Sequence, residues 1–342
     1  MMAEKKYWRE ENRTSLKDVI PLDTPYNIGI ETSSLCNARC VYCAHSQKNH
    51  GVYEGNMSME LFDKVLGEIK QFPRKVKLIE MHAFGEPLCN PNLEKMISII
   101  NGSRVADKIN FTTNGLLLNP QRIDALIDAG VDTIRISLQG LTSEAYYKVC
   151  GVKMDYDKFL SNLRYLYDRR GKCKIRMKIA DLALKDVNDG EKKFEEMFGN
   201  IADSIFVEHI LPMFSDVDYA AVDKTIFDNA MNGRANIKQV EVHKVCHRPF
   251  YRLRITANGE VMANCCDSPH DIRYGNINEQ GLVELWNGSI RKSFLKMQLQ
   301  GKRFQHPVCK NCVLANDITS DADLLDPWAE EILKRFELLD CI

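Results

Sequence analysis

The chain carries almost no net charge. Its 46 Lys and Arg are offset by 47 Asp and Glu, a formal charge of −1, so no global field draws it to nucleic acid or to an anionic membrane. No stretch reaches ~18 uninterrupted apolar residues, so no membrane-spanning helix is expected. The opening residues, Met1 to Glu10, are polar and charged and lack the apolar core of a secretory signal. Internal repeats and low-complexity tracts are also missing. What the chain has in quantity is cysteine, twelve in 342 residues. Without an export signal, that number argues against a disulfide framework and for metal or redox work in a reducing cytoplasm. The length and a 44% hydrophobic share suit one large α/β domain plus a smaller one.

Three of the cysteines, Cys36, Cys40 and Cys43, fall within eight residues in a C-x3-C-x2-C spacing. Three thiolates on one loop can hold an iron–sulfur cluster but are one ligand short of the usual four. The uncovered iron would then bind something that is not protein. The competing reading is half of a zinc site, with His45 as a further donor. The spacing, with the aromatic Tyr42 just before the third cysteine, resembles the radical S-adenosylmethionine (radical SAM) superfamily.

Strand-like and helix-like segments alternate after a polar lead-in at 1–24. Strands are expected at 26–32, 76–81, 108–113, 132–138, 174–180 and 204–208. Helices are expected from Ser58, from Asn92, over 120–129 up to Gly130, and in the stretch reaching Asp168. Roughly six such units imply a parallel sheet, hence a partial (β/α)6 TIM-like barrel over 25–213. In such folds the chemistry gathers at the C-terminal ends of the strands. A linker follows at 214–244, then a small cysteine-rich domain at 245–320 and a C-terminal tail or helix at 321–342. Within the small domain Asn258-Gly259 predicts a tight hairpin, and 282–300 reads as one helix.

Several strand-end motifs acquire roles through the resemblance. Phe84-Gly85-Glu86-Pro87 is by itself a turn. Placed one unit after the cysteine loop, it is similar to the family's Gly-Glu-Pro motif, which implies that Gly85 and Glu86 receive the ammonium of SAM. Asn114, in Thr113-Asn114-Gly115, either starts a helix after a polar turn or lies beside the cofactor. Ser137 either is solvated or, as the family implies, bonds the ribose. Lys178 or Arg176 would pair with the SAM carboxylate if they face the barrel interior. The expectation leans slightly toward the outward, solvated alternative.

A second cysteine set comprises Cys246, Cys265, Cys266, Cys309 and Cys312, all within seventy residues. The Cys309–Cys312 pair alone would suit a zinc ribbon. With the surrounding residues Gly275 to Asn287 the set resembles the SPASM/twitch domains of radical SAM enzymes, which hold auxiliary 4Fe–4S clusters. The resemblance implies one auxiliary cluster, with ligands Cys246, Cys265, Cys309 and Cys312. Five residues separate Gly259 from Cys265 where the family usually has four, so Cys266 competes with Cys265. Cys89, Cys150 and Cys173 read as ordinary buried thiols, and His82, His209 and His243 as structural histidines.

The resemblance covers about Tyr26 to Asp317 and implies the following chemistry. The three-cysteine cluster binds SAM and, once reduced, cleaves it to a 5′-deoxyadenosyl radical. That radical takes a hydrogen from an unactivated carbon. The auxiliary cluster exchanges an electron with the substrate radical, and a donor such as flavodoxin or ferredoxin supplies the reducing electron. The sequence shows no N-terminal module that would grip a leader peptide. The expected substrate is therefore sugar-like or a cyclitol, with a peptide (the maturation of a ribosomal natural product) as the alternative. A non-enzymatic iron–sulfur or zinc electron-transfer protein is the rival of another class. A cytoplasmic location and no membrane or nucleic-acid partner are expected.

Overall fold

The computed structural model describes residues 2–7, 13–46, 53–214, 217–230, 241–263, 272–316, 318 and 320–339. Ten strands make one sheet. They are β1 (Glu4–Lys5), β2 (Asn27–Ile30), β3 (Val76–Glu80), β4 (Ala106–Thr113), β5 (Thr133–Leu138), β6 (Lys174–Ala180), β7 (Ser204–Glu208), β8 (Arg252–Ile255), β9 (Glu260–Met262) and β10 (Arg273–Asn276). Their spatial order is β1-β7-β6-β5-β4-β3-β2-β8-β9-β10. Every pair from β1 to β8 is parallel, and β8, β9 and β10 continue antiparallel. The expected six parallel strands are thus present as β2 to β7.

Helices connect them where the apolar spacing predicts. Ser58 caps Met59–Ile69 by accepting from the Leu61 amide, and Phe62, Val65, Leu66 and Ile69 form its buried stripe. Leu93–Ser103, Pro120–Asp128, Ser143–Cys150, Tyr156–Arg169 and Gly190–Phe198 follow. Their buried faces share one core with Ile28, Ile79, Ile109, Phe111, Ile134, Ile136, Ile175, Met177 and Ile205. Those strand residues are in register: Ile28 with Ile79 and Ile109, and Phe111 with Ile134 and Ile175.

Because side chains alternate along a strand, the remaining positions point to the other, inner face. Arg135 pairs in register with Arg176, and Ser137 with Lys178. Arg176 and Lys178 therefore face inward with Ser137 rather than out to solvent. The sequence leaned the other way because alternation shows that the three basic side chains share a face but not which face the helices cover.

Charge pairs line that inner face. Glu80 meets Arg135 at 3.2 Å and also pairs with Arg252. Burial opposes ionisation of Glu80, but the guanidinium of Arg252, with Arg135 and His82, outweighs it and holds the carboxyl well below its usual range. Burial pushes the His82 imidazole down to about 4, and its Nδ1 finds no hydrogen-bond partner among the described residues. An unfolded His82 takes a proton near 6.5, so its contribution is intact above that pH and stability falls as pH drops toward 4. His82→Gln should reduce the loss of unfolding free energy over this window by about 1–3 kcal/mol. Urea titrations of the cluster-free chain across the window check it. An unchanged slope would refute the assignment.

Three elements differ from the expectation. The polar lead-in supplies β1, whose two residues pair with Ser204 and Ile205; a pairing between segments so distant in the chain has no local signature. The expected helix over 282–300 breaks at Gly288, whose extended ψ of 156° ends Leu282–Asn287 and begins Ser289–Leu299. The Asn258-Gly259 hairpin forms with Gly259 at φ +89°, yet its first strand joins the barrel sheet. Asn27 to Ile30 of β2 pair with Arg252 to Ile255 of β8. A second core also ties the ends together, packing Leu16 and Ile20 against Val245, Phe250, Leu295 and Phe336. No helix among the described residues is long and apolar enough to cross a membrane.

Candidate functional site

Cys36, Cys40 and Cys43 lie on the loop that leaves the C-terminal end of β2. Neighbouring backbone pins the loop. The amides of Arg39 and Val41 donate to the carbonyls of Cys150 (2.9 Å) and Val149 (3.0 Å), and the Arg39 guanidinium donates to the Cys36 and Ala38 carbonyls. The amides of Cys43 and Ser46 close successive turns onto Cys40 and Cys43. Burial, with Glu86, Cys43 and Cys89 nearby, pushes the Cys36 thiol up to about 12. The contact with Cys150, then burial, raises Cys40 as well. Metal binding must therefore displace protons here.

Among the described residues no three His, Cys, Asp or Glu side chains converge on a point that would hold one metal ion. The thiolates of an iron–sulfur cluster bind different irons and need not converge on one point. Three clustered thiols on one pinned loop fit such a group. Cys150 is fully buried, as expected, but it is not remote, since its thiol contacts Cys40. Cys89 is only half-buried and lies near Cys36.

The Gly-Glu-Pro turn packs directly on this loop. A Cβ at Gly85 would stand 2.3 Å from the Ser33 carbonyl oxygen and 2.7 Å from that of Leu35. The Glu86 amide donates to the Leu35 carbonyl at 2.8 Å. Both oxygens of Glu86 are taken by protein donors: Thr113 Oγ1 at 2.6 Å, the Leu88 amide at 3.0 Å and the Asn114 amide at 2.7 Å. These three bonds leave about one of the roughly four acceptor positions of the carboxylate for a cation, on Oε2. Burial raises the Glu86 carboxyl, and the three hydrogen bonds oppose it. Asn114 Nδ2 donates in turn to Asn37 Oδ1 at 2.8 Å, inside the cysteine loop. Glu86 and Asn114 thus join β3, β4 and the loop. Gly85→Ala should cost about 1–3 kcal/mol, because backbone has to move, and should lower iron uptake with it. Wild-type thermal stability and iron content in this variant would rule the packing argument out.

The other expected residues surround the same mouth. The Tyr42 hydroxyl donates to Gln139 Oε1, and Gln139 Nε2 donates to the Ser137 carbonyl at 3.2 Å. Lys178 is paired with Glu208 at the end of β7. His209 Nδ1 lies 2.8 Å from Asp181, whose other oxygen accepts from the Leu182 amide at 2.7 Å. Asn37, Thr113, Gln139 and Glu208 were missed from the sequence. Their only signal is position: Asn37 lies within the three-cysteine run, and Thr113, Gln139 and Glu208 lie at or just beyond strand ends.

In the second set, Cys246, Cys309 and Cys312 sit close together. Burial, with Cys312 beside it, pushes Cys246 up to about 11; burial, with Cys246 and Cys312, pushes Cys309 up to about 12. Cys265, Cys266 and Cys341 lie outside the described residues. Gln298 is fully buried, accepts from the Cys246 amide at 3.1 Å and offers Nε2 to Cys309 Sγ at 3.6 Å. Arg303, 1% exposed, donates to the carbonyls of Cys309 (3.1 Å) and Cys312 (3.0 Å). Neither residue was foreseen. The two sets lie at opposite ends of neighbouring strands. Cys36 follows β2, whereas Cys246 precedes β8, which runs parallel to it. Val245 packs on Leu16 and Ile20, which come before β2.

Two family models match the chain. The Radical SAM superfamily model matches residues 30–194, and the SPASM iron-sulfur cluster-binding domain model matches 246–313. The tungsten-containing aldehyde ferredoxin oxidoreductase cofactor-modifying protein of Pyrococcus furiosus is 23% identical, over 88% of this chain and 91% of that protein. The GTP 3′,8-cyclase of Chlorobaculum tepidum is 26% identical over 53% of each chain, so the match spans about half of the cyclase. Among solved structures, BtrN in complex with AdoMet and 2-DOIA superposes with a TM-score of 0.54 at 21% identity, over 87% of this chain and 97% of BtrN. Streptococcus suis SuiB bound to S-adenosylmethionine gives 0.59 at 15%, over 90% and 77%. The chain belongs to the radical SAM superfamily, whose enzymes bind S-adenosylmethionine at a 4Fe–4S cluster, and it carries a C-terminal SPASM domain for auxiliary iron–sulfur chemistry.

Proposed function

We propose that this enzyme oxidises a small sugar-like or cyclitol substrate, taking a hydrogen atom from an unactivated carbon and passing the remaining electron to one auxiliary 4Fe–4S cluster. The observation that carries this reading is the polar inner face of the sheet, with Cys36, Cys40 and Cys43 beyond the C-terminal end of β2 and Cys246, beside Cys309 and Cys312, before β8. When bound, the first cluster and S-adenosylmethionine supply a 5′-deoxyadenosyl radical. Cys36, Cys40 and Cys43 would hold that cluster, leaving one iron for the amino acid part of SAM. Gly85, Glu86 and Asn114 shape the adjoining wall. Tyr42, Ser137 and Lys178 are assigned to the cofactor's side of the mouth. Cys246, Cys309, Cys312 and either Cys265 or Cys266 would complete the second site. The Arg–Glu pairs deeper in the face offer fixed partners for hydroxyl groups.

The overall change balances. An alcohol carbon loses its hydrogen to the deoxyadenosyl group, the hydroxyl loses a proton, and one electron leaves to the second site, giving a carbonyl. The likeness to BtrN, seen with 2-DOIA and spanning 97% of that protein, supports a small substrate. The peptide alternative is supported by the likeness to SuiB, seen with its precursor peptide SuiA and covered to 72%, and to anSMEcpe, seen with the Cp18Cys peptide and covered to 97%. A flavodoxin or ferredoxin is assigned as donor. The test incubates the reduced holoenzyme with SAM and aminocyclitols deuterated at carbinol carbons. Deuterium in 5′-deoxyadenosine together with a new ketone is expected. Deuterium-free 5′-deoxyadenosine with every polyol, alongside modification of a peptide, would replace this reading with the alternative.

A further inference from the structure

Arg303 is almost completely buried, and among the described residues no carboxylate lies within ion-pair distance of it. Its Nε donates to the His243 carbonyl at 3.0 Å, Nη1 to the Cys309 and Cys312 carbonyls at 3.1 and 3.0 Å, and Nη2 to Asn316 Oδ1 at 3.2 Å. Its guanidinium also stacks over the Phe304 ring at 4.5 Å. Every hydrogen-bond acceptor is neutral. A buried cation without a counter-charge is strongly unfavourable, and Arg remains protonated in proteins. Among the described residues two other arginines are buried and fit different patterns: Arg291 stacks on Trp286 at 3.2 Å and donates to the Trp286, Pro249 and Phe250 carbonyls, and Arg254 lies over the Phe84 ring at 4.6 Å. Arg303 instead grips both members of the Cys309–Cys312 pair. Gln298 lies on the same set, with one end on the Cys246 amide and the other on Cys309 Sγ.

We infer that Arg303 is the resident counter-charge of the auxiliary site, and that with Gln298 it holds that site at a raised reduction potential. The inference rests on the C-terminal set holding an iron–sulfur cluster. Four thiolates around such a cluster carry net negative charge, and each added electron makes it more negative. A fixed cation and an N–H···S bond both favour the reduced form. A raised potential is what an electron acceptor for a substrate radical needs. Arg303 is a positioning residue, since it acts through the cysteines and not on substrate.

The experiment uses the full chain with Cys36, Cys40 and Cys43 replaced by Ala, so that only the auxiliary site retains iron, and reads iron per chain and midpoint potential by EPR-monitored redox titration. Arg303→Met should shift the one-electron equilibrium at least tenfold toward the oxidised form, a fall of 59 mV or more. Gln298→Leu should shift it in the same direction by less. Arg303→Lys, which keeps the charge, should remain within threefold of the parent. If Arg303→Met retains no iron while Arg303→Lys does, at near-parental potential, the counter-charge role stands. Equal iron loss in both variants, or a parental potential in Arg303→Met, overturns it. If the parent chain itself takes up no iron at the C-terminal set, the auxiliary-cluster reading has failed, and the same measurement identifies that case.

Discussion

Replacing Cys36, Cys40 and Cys43 together by Ala should lower the iron of the anaerobically reconstituted chain from about eight atoms to about four, and should abolish 5′-deoxyadenosine formation altogether. The wild-type chain, reduced with dithionite and given SAM, should form it slowly even without its own substrate. The three thiols share one loop, and that loop is held by backbone bonds to Val149 and Cys150 and by the Gly85 contact, not by the metal alone. The triple variant should therefore remain folded, with unchanged far-ultraviolet dichroism. Cys40→Ala alone should also stop cleavage, because a cluster with two protein ligands has no defined open iron. Residual 5′-deoxyadenosine at wild-type rate in the triple variant would overturn the assignment of the loop. Zinc at the second set, with wild-type iron near four, would overturn the two-cluster count.

The second large effect is a separation of two activities. Cys309→Ala with Cys312→Ala should leave SAM cleavage measurable while removing turnover to the oxidised product. Cys246, with Cys309 and Cys312 close to it, precedes β8, and the three-cysteine loop follows the parallel strand β2, so loss of one set need not disturb the other. Yet the two share a sheet, and Arg303 reaches from the pair to His243. Metal binding and folding are coupled in cysteine-rich segments, so the spectrum of the first cluster must be recorded in the same sample. A well-folded double variant that still makes full product would show the second cluster to be structural only.

The aminocyclitol assay, the Gly85→Ala variant and the His82 titration test separate layers of the same account. The first addresses substrate, the second the packing of the turn on the loop, and the third the electrostatics of the inner face. None of them depends on the others' outcome. In particular, Gly85 acts through a steric contact with backbone, which no change of pH relieves, whereas His82 acts through a proton.

Much of this protein is local in origin and can be read from the chain. The C-x3-C-x2-C run needs only its own spacing to bring three thiols onto one loop. The strand–helix alternation needs only the change of apolar period, because each parallel strand requires a covering helix between it and the next. Asn258-Gly259 makes its hairpin because Gly259 adopts a positive φ without strain. Non-local pairing made the rest. Nothing near Glu4 shows that it will sit beside Ser204, and nothing near Arg252 shows that β8 will extend the barrel next to β2. The direction of Lys178 depended on which face the helices cover, a property of the whole sheet. Glu86 carries its expected motif, but its carboxylate is occupied by Thr113 and Asn114 from the following strand. Arg303 had no motif at all; its meaning comes from burial beside Cys309 and Cys312, with no carboxylate in ion-pair distance among the described residues. Short-range spacing sets which chemistry the chain can support. Where each charge ends up, and what it must balance, follows from the long-range packing that removes it from water.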